Sequence, residues 1–274
     1  MKIYREIFVA FCLILNISYL RGQCSDQEIS FQPGEKLTYE VAYNWGVIWV
    51  DAGEVYFKTD TSILNNKAVY GFEAFGTSYQ YYDWIYKVRE FYQSKLDTNS
   101  FQPLWFQRKT YEGGYEVFNQ YDYNTEHRQI ISQVKHSGKS VTIDTLLLDS
   151  CRFDVLSAVY FARNINYNRF SPGDKIPVRF IIENEFYELY IRYLGKEIIH
   201  NRSGRKYRCH KMSALLVEGT IFKGGEDLVV WVTDDQNKIP IMAEAKILIG
   251  SVKAYLSGYE GLKYKMEAEV QDTR

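Results

Sequence analysis

Two-residue turn signals set between alternating runs constrain this chain more than any other feature of its sequence. Leu104 to Glu112 and Tyr115 to Tyr123 flank Gly113-Gly114. Two residues free to take positive φ between such runs specify an antiparallel hairpin. Ile130 to His136 and Val141 to Leu148 repeat the arrangement around Ser137-Gly138, and Asn65-Asn66 separates Val47 to Lys58 from Lys67 to Tyr79. In the first of these last two runs, Trp49, Asp51, Gly53, Val55 and Phe57 alternate with Val50, Ala52, Glu54 and Tyr56, the period of a strand with two unlike faces. Glu35 to Trp45 and Trp84 to Leu96 read the same way. Beyond a break at Ser171-Pro172-Gly173-Asp174 the series resumes from Lys175 to Glu183, Phe186 to Leu194, Tyr207 to Val217, Leu228 to Thr233, Ile239 to Ile249, Val252 to Leu256 and Leu262 to Val270. With 24 Tyr and 16 Phe against 5 Pro, strand formers are plentiful and breakers few.

One segment departs from this period. After Phe153, Asp154 can cap a helix in which Val155, Leu156, Val159, Tyr160 and Ala162 fall at helical spacing, ending near Asn164 to Asn168. A run of hairpins with one helix does not match βαβ alternation. The sequence predicts a mainly β fold, an antiparallel barrel or half-barrel with one central helix covering or plugging an opening. No linker, low-complexity block or repeat divides residues 24–274, which read as one β-rich domain.

The start of the chain reads as an export signal. Lys2 and Arg5 precede the apolar run Ile7 to Leu15, and Asn16 and Ser18 restore polarity. That run is too short for a transmembrane helix, which needs roughly 18 or more apolar residues, and no later segment qualifies. The sequence therefore predicts a signal peptide over residues 1–23 and no transmembrane span after its removal. Cleavage after Gly22 would leave Gln23 first. Alternatively, Leu20-Arg21-Gly22-Gln23-Cys24 resembles a lipoprotein signal, although Gln23 stands where such signals carry a small residue.

Export places Cys24, Cys151 and Cys209 in an oxidising compartment. If Cys24 is lipidated or terminal, Cys151 and Cys209 are the natural disulfide pair, closing a loop that contributes roughly 4 kcal/mol on the chain-entropy model. The other reading is two buried, inert thiols. A net charge of -1 and a pI near 6.5, with no basic stripe, argue against a nucleic-acid partner.

Three stretches together resemble an exported bacterial family called domain of unknown function 3108. They are Pro33 to Tyr39 with Gly53-Glu54, Asp154 to Tyr160 with Pro172-Gly173-Asp174, and Trp231 to Pro240. The resemblance runs in order over nearly the whole chain after residue 23. It implies a barrel-like protein of the periplasm or outer membrane of a Gram-negative bacterium, and it implies no particular reaction.

Motifs for catalysis or metal binding do not emerge. The four histidines, His127, His136, His200 and His210, are scattered, and Cys209 and His210 would point to opposite faces of a strand. Asp234-Asp235 sit in turn chemistry. No cofactor is implied. The most suggestive segment is Tyr79 to Tyr86 with the strand after it, because flat rings with polar tips suit saccharides and amphipathic ligands. If a strand begins at Trp84, then Trp84, Tyr86, Val88, Glu90 and Tyr92 share a face, with Glu90 the one charge among rings. Tyr81, Trp84, Tyr86, Glu90 and Tyr92 are the candidate ligand-binding residues. The leading expectation is a non-catalytic envelope protein whose partly open interior binds a lipid, a glycan or a protein partner. One alternative is a glycan-acting hydrolase in which Glu90 works with another carboxylate, such as Asp83 or Asp51, across about 5 to 9 Å; another is a purely structural envelope partner, with an exposed apolar patch and a closed barrel without a cavity.

Overall fold

The computed structural model describes residue 24 and residues 28–45, 48–216, 225–247 and 250–270. The signal peptide read at residues 1–23 lies outside the described residues. Eight strands follow one another as neighbours: β1 (Lys36–Trp45), β2 (Ile48–Leu64), β3 (Lys67–Ser78), β4 (Val88–Asp97), β5 (Pro103–Glu112), β6 (Tyr115–Asn124), β7 (Gln129–His136) and β8 (Thr142–Leu147). A second meander comprises β9 (Lys175–Ile182), β10 (Glu185–His200), β11 (Lys206–Leu216), β12 (Gly225–Thr233), β13 (Pro240–Lys246) and β14 (Ser251–Glu260), with the short β15 (Glu269–Val270) beside β11. The two meanders join where β1 pairs antiparallel with β14. The sheet is continuous and open, ending at β8 on one side and β9 on the other.

The turn signals act as the sequence predicts. Gly113 and Gly114 both take positive φ (56° and 98°), as do Asn65 and Asn66 (48° and 63°), the backbone that lets a two-residue turn follow the twist of its strands. The turn at Glu183 and Asn184, also at positive φ, reaches across the open seam. Glu183 pairs with Arg108, and Asn184 bonds Ser132 and donates through Nδ2 to Asp144 (2.8 Å). The tip of the β9–β10 hairpin thus ties back onto strands β5, β7 and β8, and the sheet curls into a half-barrel.

Its hollow is filled. The short α1 (Asp83–Tyr86) links β3 to β4, and α2 (Val155–Asn164) packs against β3, β4 and β9 inside the curve. Asp154 caps α2 by accepting from the Leu156 and Ser157 amides (both 2.9 Å), and its other oxygen accepts from the Ser94 hydroxyl (2.8 Å). Burial pushes this carboxyl up to about 6 against those hydrogen bonds. Leu156, Ala158, Tyr160 and Phe161 are buried from the helix side, and Tyr160 stacks on Phe72 at 3.7 Å. A second buried cluster, including Leu37, Tyr39, Tyr207, Trp231 and Ile241, lies along β1 and the C-terminal meander.

Three expectations need correction. The strand expected from Trp84 begins at Val88, because Asp83 to Tyr86 form a helical turn. Leu262 to Val270 is strand only at Glu269–Val270. The disulfide joins Cys24 to Cys151 (Cα–Cα 5.9 Å), whereas Cys209 is a buried free thiol that burial pushes up to about 12. The Cys151–Cys209 pair is therefore not formed. Sequence could not reach this, since pairing depends on Cα separation and not on order.

Candidate binding face

The structure divides the five residues that the sequence nominated. Tyr81, Trp84 and Tyr86 sit on the connection between β3 and β4, and Trp84 is 83% exposed. Asp83 fixes this connection by accepting from Arg89 (2.6 Å) and from the Ser78 hydroxyl (2.8 Å), and the Arg89 guanidinium holds its carboxyl below the usual range. The Tyr86 ring lies on the β5–β6 turn, where a Cβ added at Gly113 would come within 2.4 Å of it. Trp84 and Tyr86 therefore do not share a strand face with Glu90 and Tyr92.

Glu90 and Tyr92 do come together, on the inner face of β4 in line with the buried Ser94 and Leu96. Tyr92 donates to Glu90 Oε2 at 2.5 Å, and Glu90 Oε1 is buried with no donor directed at it. Burial pushes Glu90 up to about 8, and the Glu112 carboxyl stands within hydrogen-bonding reach, a contact that needs a proton on one of the two. Burial, with the Glu90 charge beside it, also raises the Tyr92 phenol. Asp83 is bound to Arg89, which points to the opposite face of β4, and Asp51 is ion-paired with Arg202 (2.5 Å). The carboxyl beside Glu90 is thus Glu112, and neither Asp83 nor Asp51, the two partners the sequence suggested, joins it.

Space for a ligand lies on the other side of the same strands. Because side chains alternate, Ala74, Tyr92, Thr110, Asn119 and Val134 point into the half-barrel and their neighbours point out. The outward residues of β3–β7 line a groove of about 520 Å³, with Phe75, Phe91, Phe118 and Tyr111 as half-buried rings and Lys109 and Lys135 exposed. Arg89 lines the same groove. Its volume falls within the range of small-molecule sites, roughly 300 to 1,000 Å³. Sequence reasoning followed the Glu90 face and missed this one. The signal was present in the alternation of β4, where Arg89, Phe91 and Gln93 are the complementary set, but the strand register that assembles the groove is not written in any single strand. Among the described residues no three His, Cys, Asp or Glu side chains converge to hold a metal. No helix among them is long and apolar enough to cross a membrane.

Two of the stretches that carry the family resemblance, those of Glu35 and Asn237, meet at one buried node on the helix that the third begins. Arg163, near the end of α2, donates to both oxygens of Glu35 (2.5 and 3.0 Å) and to the Asn237 carbonyl (3.1 Å). Asn237 in turn is held by Asp235 Oδ1 (3.0 Å) and accepts from the Tyr264 amide (3.0 Å). A family model described as "Protein of unknown function (DUF3108)" matches residues 38–257. The chain belongs to that family. No curated protein matches this DUF3108 chain in sequence. Among solved structures, the DUF3108 chain is similar to a β-barrel-like protein of the domain of unknown function DUF1849 from Brucella abortus. That similarity has a TM-score of 0.53 and 8% identity and covers 86% of this chain and 100% of the other. At that identity the likeness concerns the fold alone.

Proposed function

We propose that this chain is an exported, non-catalytic protein of the cell envelope, in the periplasm or at the outer membrane, and that it works by binding. The groove on the outer face of β3–β7 carries this reading: about 520 Å³ of open space walled by rings and cations. The binding site expected from the sequence was the interior, but α2 and its aromatic partners occupy that space. The open groove on the outer face supports that side as the binding site instead. Rings supply stacking and apolar contact, and the exposed Lys109 and Lys135, against Glu116 in the same lining and with Arg89 held by Asp83, favour a molecule that carries negative charge.

The test is native mass spectrometry of the protein purified from its own envelope without reduction. One anionic, non-covalently held molecule per chain is expected on the wild type and not on Lys109→Glu/Lys135→Glu. Wild-type protein without such a molecule, or equal retention by the charge-reversed variant, would count against the groove as the site.

A further inference from the structure

The groove belongs to a larger, regular surface. Across five strands, Phe75, Phe91, Lys109, Phe118 and Lys135 stand opposite one another as one row. Two residues further along each strand a second row runs parallel to it: Glu73, Gln93, Gln107, Gln120 and Gln133. Gln93 donates to Glu73 (3.3 Å), Gln107 to Gln120 (3.1 Å) and Gln120 to Asp122 (2.9 Å). A primary amide offers two donors and two acceptor lone pairs, so these bonds leave capacity on each glutamine for an outside partner.

We infer that this surface takes a linear acidic saccharide laid across the strands, an inference that rests on the groove reading above. The apolar faces of sugar rings pack on Phe75, Phe91 and Phe118, ring hydroxyls meet the glutamine row, and carboxylate or phosphate groups meet Lys109 and Lys135. The spacing fits. Neighbouring strands lie roughly 4.8 Å apart, close to the repeat of a 1,4-linked pyranose chain, so one ring falls on each strand and about five span β3–β7. An acyl chain needs an unbroken apolar trough, and here lysines interrupt the rings while amides run alongside. That pattern favours a saccharide over a lipid.

The experiment is calorimetric titration of the signal-free protein with three probes: oligogalacturonides of increasing length, neutral cello-oligosaccharides of the same lengths, and phosphatidylglycerol vesicles. Circular dichroism checks that each variant is folded. Oligogalacturonide affinity is expected to rise with length up to about five rings and then level off, one ring per strand spacing. Neutral chains should bind at least about tenfold more weakly, and both Lys109→Glu and Gln107→Ala/Gln120→Ala should lose about tenfold or more, as the loss of charged and hydrogen-bonding partners implies. Saccharide binding that ignores these substitutions, or no saccharide binding at all, overturns the inference. If vesicles bind instead and Lys109→Glu abolishes it, the saccharide is wrong and the groove stands. If no probe binds and no native molecule is retained, the groove reading falls as well.

Discussion

Replacing Glu90 with glutamine should stabilise this protein at neutral pH and leave it unchanged in acid. In the folded chain burial lifts the Glu90 carboxyl from its ordinary 4.5 to about 8. Between those values the native state holds a proton that the unfolded state has released, so stability is full below about 4.5 and falls as pH rises towards 8. At pH 7 the gap is about 2.5 pH units, and at 1.36 kcal/mol per unit the wild type is about 3 kcal/mol less stable than a chain neutral at this position in both states. Partial solvation of the carboxyl reduces this to about 1 to 3 kcal/mol. The glutamine amide can accept the Tyr92 hydroxyl and donate to Glu112, so little is lost in packing. Urea denaturation of both proteins at pH 4, 5.5, 7 and 8.5 reads the effect. The advantage of Glu90→Gln should be near zero at pH 4 and grow through pH 7. An equal gain at pH 4 and pH 7, or a loss at pH 7, would refute the assignment of a buried, protonated Glu90.

Other perturbations test the frame. Non-reducing peptide mapping should recover a Cys24–Cys151 peptide, with Cys209 alkylated only after unfolding; removing the bridge with Cys24→Ala/Cys151→Ala should lower stability by at most roughly 5 kcal/mol in denaturant titrations, given a separation of 127 residues. Arg163→Ala strands the buried Glu35 carboxylate and should cost about 3 to 5 kcal/mol, whereas Glu35→Leu/Arg163→Met should lie much nearer the wild type in thermal denaturation. Gly113→Ala should cost about 1 to 2 kcal/mol for its positive φ alone, with the clash against the Tyr86 ring in addition. Adding Tyr86→Ala should return the part due to the clash, which a double-mutant cycle measures.

Much of the fold is legible in the sequence because hairpins are local. Gly113-Gly114, Asn65-Asn66 and Ser137-Gly138 sit between the strands they join, and Asp154 starts the helix that it caps. What failed was contact between residues far apart in the chain. The tyrosines before β4 looked like strand because their alternation continues into it, but Asp83 finds Arg89 and Ser78 and the segment turns helical. Cys151 pairs with a residue 127 positions away, and sequence order says nothing of that distance. The candidate face was half legible. Glu90 and Tyr92 share a strand side, as period two requires, yet the row from Phe75 to Lys135 exists only through the register of five strands.

β1 occupies the middle of the sheet, but one of its two neighbours, β14, comes near the end of the chain. While the chain emerges, the first meander can assemble hairpin by hairpin, leaving the far side of β1 as a row of unpaired amides and carbonyls. Such an edge is a template for any other extended segment nearby. Contacts this distant in sequence slow folding, because loop closure comes before their reward. The vulnerable interval for this protein therefore lasts until its final long strands arrive, and a chaperone that shields extended chains would matter most in that window.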